Sequence, residues 1–64
     1  MKDPNICLSV VNTLLRDKCK NLNELNDYLI DVYNMTSSEV IERIAEIGYY
    51  YNEELNQFVA KNNG

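Results

Sequence analysis

The sequence predicts an all-α fold, a single domain over 1–64 of three helices at approximately 4–19, 22–34 and 37–61. Two helix-start signatures and the apolar spacing behind them carry that expectation. Asp3-Pro4 opens the first signature and Thr36-Ser37-Ser38-Glu39 the second. The chain has 64 residues, which allows one domain near the lower size limit for independent folding.

The first helix starts with a capping carboxylate, Asp3, and a proline at its first position. Behind them Ile6, Cys7, Val10, Val11, Leu14 and Leu15 recur in helical phase. With Leu8 they span an arc of roughly 200°, about twice that of an ordinary surface helix. Such a helix is either sandwiched between two others or shared with a second subunit. Ile6, Val10, Val11, Leu14 and Leu15 are therefore expected to form a core or dimer face, and a homodimer that uses it is expected. Lys18 falls on the apolar side, so the helix is expected to end near it.

Lys20-Asn21-Leu22-Asn23 connects to the second helix, with Asn21 or Asn23 able to cap it. Leu22, Leu25, Leu29, Val32 and Tyr33 share one face, while Glu24, Asp27 and Asp31 share the opposite, solvated one. Asn34 closes the helix because asparagine tolerates the left-handed conformation of a C-terminal cap.

In the second signature a Thr36 hydroxyl precedes a Glu39 carboxylate by three residues, which makes a capping box. The stripe Val40, Ile44, Ile47, Tyr51, Leu55 and Phe58 keeps helical phase behind it. Gly48 lies inside that pattern at a cost of about 1 kcal/mol against alanine. The expectation is one helix to about Lys61, possibly bent at Gly48. The alternative is a break there and a short fourth helix capped by Asn52. Asn62-Asn63-Gly64 is expected to fray.

Composition narrows function. No apolar run approaches the roughly 20 residues of a membrane span, and the start, Met-Lys-Asp-Pro, does not read as a signal peptide. A cytoplasmic location is expected. Cys7 and Cys19 lie about 18 Å apart along one helix, beyond the Cα separation of about 7 Å that a disulfide tolerates. Two reduced thiols in a reducing compartment follow. The chain carries a net charge of −4. Its basic cluster, Arg16, Lys18 and Lys20, precedes a strongly acidic remainder. Nucleic acid is therefore repelled over most of the surface.

Catalysis is not expected. The chain has no histidine, so a thiol nucleophile lacks its usual base, and the carboxylates fall on solvent faces where nothing shifts their pKa toward neutrality. Carboxylates at these spacings lack a calcium loop, and no metal or cofactor is expected.

The segment Asn34-Met35-Thr36-Ser37-Ser38-Glu39-Val40-Ile41-Glu42-Arg43-Ile44 resembles the second helix of ribbon-helix-helix repressors. That helix starts with Gly or Asn, an apolar residue, hydroxyl or basic residues, Glu and two aliphatics. The resemblance implies that Thr36, Ser37 and Ser38 grip a phosphate at the helix N-terminus. It also implies a base-reading strand carrying Arg16, Lys18 and Lys20. Among the alternate positions Leu15, Asp17, Cys19 and Asn21, only Leu15 and Cys19 suit a core. Residues 24–45 also lie on a helix-turn-helix pattern, with Arg43 at an expected apolar position.

On a continuous third helix Glu39, Glu42, Glu46 and Glu53 share an outer face that phosphate avoids. Tyr49 and Tyr50 point out among them, and tyrosine buries a large ring with a polar tip at protein interfaces. The sequence is therefore read as a small non-enzymatic regulatory protein that binds a protein through this acidic, tyrosine-bearing helix face. An inhibitor encoded by a phage or plasmid would suit its size and composition. The alternative is a dimeric DNA-binding repressor of ribbon-helix-helix or helix-turn-helix type.

Overall fold

Helix α1 (Pro4–Asp17) begins where the Asp3 carboxylate accepts the Asn5 N–H at 2.8 Å, with proline in the first turn. The computed structural model describes residues 2–61, so the expected fraying at Asn62-Asn63-Gly64 lies outside the described residues. Helix α1 ends as the Lys18 and Cys19 N–H groups both donate to the Leu14 carbonyl at 2.7 Å. The chain turns through Lys18–Asn21, where the resemblance to ribbon-helix-helix repressors requires a strand.

Asn21 caps α2 (Leu22–Tyr28), its Oδ1 accepting from Glu24 N–H at 2.9 Å. The Glu24 carboxylate reaches back to the Lys20 N–H at 2.9 Å, one residue before the usual capping-box partner. The helix continues as a π-helical turn, Leu29–Tyr33, and stops at Asn34, whose φ of 56° and ψ of 37° are left-handed. Met35 N–H closes on the Leu29 carbonyl at 3.2 Å, one residue wider than an α-helical Schellman closure because the last turn is π. This over-wide turn moves Val32 off the core face, where α-helical phase puts it. Val32 is 52% exposed, and Met35 packs against the core instead.

Helix α3 (Ser37–Ala45) starts at Thr36, whose Oγ1 accepts from Glu39 N–H at 3.3 Å. A second cap comes from another element, since Ser37 N–H donates to Asn26 Oδ1 of α2 at 2.8 Å.

Beyond α3 the chain departs from the all-α expectation. The helix does not continue to Lys61, and among the described residues no fourth helix follows. Residues 49–60 form an antiparallel hairpin of β1 (Tyr49–Asn52) and β2 (Gln57–Ala60), which makes the domain α+β. Ile47 N–H bonds to the Ile44 carbonyl and Gly48 N–H to the Ala45 carbonyl, tightening the end of α3. Gly48 then takes φ 81°, a conformation no right-handed helix contains. Three consecutive tyrosines follow, and aromatic residues favour strands. Asn52 Oδ1 accepts from Leu55 N–H at 3.1 Å, and Asn56 adopts φ 52°, completing the turn.

The helical stripe misleads for a geometric reason. Ile44, Tyr51 and Phe58 are spaced seven apart, which is two helical turns, but Tyr51 and Phe58 face each other across the hairpin. Leu55, a stripe member, is 62% exposed at the turn, whereas Phe58 is 2% exposed.

The core gathers Cys7, Val11, Leu14 and Leu15 of α1, Cys19, Leu25, Leu29, Val40, Ile44 and Phe58. Helix α3 and strand β2 both pack on α1, so the broad apolar arc of α1 is covered largely within the chain. Among the described residues no helix is long and apolar enough to cross a membrane.

Candidate functional site

The hairpin is where chemistry and exposure meet, and its ladder fixes which groups face outward. Lys61 N–H donates to the Gly48 carbonyl at 2.8 Å, which makes 48 and 61 a hydrogen-bonded pair. Such pairs alternate along an antiparallel ladder. Tyr50 with Val59 and Asn52 with Gln57 therefore bond to each other, while Tyr49, Tyr51, Phe58 and Ala60 turn their backbone groups to the outer edges.

At Phe58 the outer edge of β2 is met by α1. Asn12 Oδ1 accepts from Phe58 N–H at 2.7 Å, and Asn12 Nδ2 donates to the Phe58 carbonyl at 3.0 Å. The side-chain amide thus stands in for a neighbouring strand. Gln57 Nε2 donates in turn to the Asn12 carbonyl at 3.0 Å. Asn56 ties the turn to the end of α1, its Nδ2 donating to the Leu15 and Cys19 carbonyls, each at 3.0 Å. Tyr51 OH donates to Asn56 Oδ1 at 2.6 Å. Sequence reasoning overlooked Asn12, Asn56 and Gln57. Ten asparagines in 64 residues were the available signal, but nothing local says which of them reaches another element's backbone.

The two sheet faces differ. Tyr49 and Tyr51 are half-buried against the core, and the Tyr51 and Phe58 rings lie 5.5 Å apart. Tyr50 points the other way and is 46% exposed, with the Lys61 ammonium 5.7 Å from its ring centroid. The residues expected to share one helix face are therefore distributed. Glu39, Glu42 and Glu46 remain exposed at α3 and its C-cap, Tyr49 turns inward, Tyr50 outward, and Glu53 is exposed at the hairpin turn. Glu39 is engaged by its own cap, accepting from Thr36 Oγ1 at 3.4 Å.

On α1, Val11, Leu14 and Leu15 are buried, Val10 is half-buried against the core, and Ile6 is 53% exposed. In the basic cluster, Arg16 donates through Nε and Nη2 to Asp17 at 3.1 and 3.2 Å. The Arg16 hydrogen bond holds the Asp17 carboxyl below its usual range. Lys18 and Lys20 are exposed, Thr36 is exposed and Ser37 half-buried. Lys20, Tyr51 and Glu53 line a shallow open cleft together with the start of α2. Burial pushes the Cys7 and Cys19 thiols up, outweighing the opposing pull of Arg43 on Cys7 and of Lys18 on Cys19.

A family model described as Domain of unknown function (DUF4250) matches residues 1–58. No curated protein and no solved structure matches the chain.

Proposed function

The chain belongs to the DUF4250 family, whose description assigns no activity, and we propose that it is a non-catalytic regulator that binds a partner protein through its hairpin and the acidic side of α3. The observation that carries this reading is Tyr50. The residue is 46% exposed on the outer sheet face although the same strand turns Tyr49 and Tyr51 to the core. A tyrosine left outside a small domain supplies apolar area and a polar tip to a contact. Glu46 precedes the strand and Glu53 and Glu54 follow it, all exposed, so the contacting surface is acidic and favours a basic partner.

Thiol nucleophilic catalysis is opposed by the raised Cys7 and Cys19 pKa values, because burial holds them as neutral thiols and the nucleophile is the thiolate. The testing experiment is affinity capture from lysate of the source cells, with and without nuclease, by the wild type and three variants. One protein captured by the wild type and by Lys18→Ala, but lost with Tyr50→Ala and Glu46→Lys, is the expected result. Capture that nuclease abolishes, or that Lys18→Ala abolishes and Tyr50→Ala leaves intact, would overturn the reading in favour of a nucleic-acid contact.

A further inference from the structure

The hairpin has two outer edges, and the fold treats them differently. Asn12 occupies the β2 edge at Phe58. On β1 the N–H and C=O groups of Tyr49 and Tyr51 face out, and among the described residues no hydrogen bond reaches them. The strand reads Tyr-Tyr-Tyr-Asn, with none of the lysines, prolines or bulges that ordinarily protect an edge from pairing. We infer that the outer edge of β1 receives an extended, basic segment of a partner protein as a third strand.

Resting on the protein-binding reading above, this inference says which segment of the partner is held and how. The four outward groups of Tyr49 and Tyr51 span a stretch of about 10 Å for main-chain pairing. Charge decides between candidate occupants. Glu46 stands just before β1 and Glu53 and Glu54 just after it, all exposed. A second copy of this chain, paired antiparallel about Tyr50, would set Glu46 of one copy toward Glu53 and Glu54 of the other. Like charges so placed oppose pairing. A strand carrying lysine or arginine at its ends meets the opposite sign at both. Lys20 shares the cleft at the Tyr51 end and Lys61 pairs with Gly48 at the other, which leaves the Glu53–Glu54 end the more strongly acidic.

The test uses the full chain labelled for amide NMR and a capped peptide of alternating lysine and threonine. Its controls are the same peptide with glutamate for lysine and the same peptide N-methylated at alternate residues. The lysine peptide should bind and slow hydrogen exchange at the Tyr49 and Tyr51 amides, and both controls should fail. A synthetic chain carrying a backbone N-methyl at Tyr49 keeps every side chain and every β1–β2 bond, and should bind about tenfold more weakly. No binding at about 1 mM peptide overturns the inference. So does binding that leaves the Tyr49 and Tyr51 exchange rates unchanged. If that unprotected binding is lost with Tyr50→Ala, strand addition fails while the broader protein-binding reading stands. If both amides are protected but capture from lysate is indifferent to Tyr50→Ala, the outer face fails and the edge stands.

Discussion

Gly48 carries the largest consequence of any single residue. At φ 81° with nothing within 4 Å of an added Cβ, alanine there meets no steric neighbour and suffers only from its backbone conformation. Gly48→Ala should destabilise the fold by about 1–2 kcal/mol, measured by urea denaturation. On a continuous helix the same change would stabilise by about 1 kcal/mol, so the sign alone separates hairpin from helix. The two cysteines make a second residue-scale prediction. Burial raises both thiol pKa values, so the folded chain keeps protons that the unfolded chain releases. Their contribution is complete below the ordinary thiol range and is lost as pH rises through the raised values. Denaturation midpoints should therefore fall on going from pH 7 to about pH 10. The fall should be shallower in Cys7→Ala/Cys19→Ala; an equal slope would show that other groups cause it.

At the scale of elements, the side-chain amides of Asn12, Asn56 and Gln57 tie the hairpin to α1. A two-stranded hairpin is marginal by itself. Asn12 supplies what a third strand would, satisfying one donor and one acceptor at Phe58. Asn12→Ala should cost about 2 kcal/mol, because two backbone groups lose their partners. It should also speed amide exchange at Phe58 while leaving Leu25 in α2 protected. Unchanged exchange at Phe58 would mean that the amide bridge is not what closes this edge. The end of α2 follows a related logic. Its π-helical turn and left-handed Asn34 deliver Met35 to the core, which leaves Ile30 and Val32 as exposed apolar residues.

Across the whole molecule, the hairpin contributes one buried residue to the core. Phe58 is 2% exposed and joins residues of α1, α2 and α3 in a single cluster. Truncating it to alanine should cost about 3–5 kcal/mol. A chain of 64 residues has only about 3–10 kcal/mol of total stability at usual per-residue values. Phe58→Ala should therefore lose most of its cooperative transition in urea, followed by circular dichroism. A loss below about 1 kcal/mol would show that the helices form a core without the hairpin. The packing of α3 and β2 on α1 also explains how much of so broad an apolar arc is buried within one chain.

Local chemistry was legible in the sequence wherever a signal and its consequence lie within a few residues. The caps at Asp3, Asn21 and Thr36, the left-handed stop at Asn34 and the burial of Val11, Leu14, Leu25, Val40 and Ile44 are of this kind. Each rests on backbone conformation or on helical period. The last third of the chain was not legible in that way, because a seven-residue spacing satisfies two helical turns and a cross-strand pair equally well. Tertiary contact broke the tie. Asn12 and Asn56 reach across more than 35 residues of sequence to hold the hairpin on α1. Only that docking decides that Tyr49 and Tyr51 face inward, that Tyr50 faces out, and that among the described residues β1 keeps an unpaired edge.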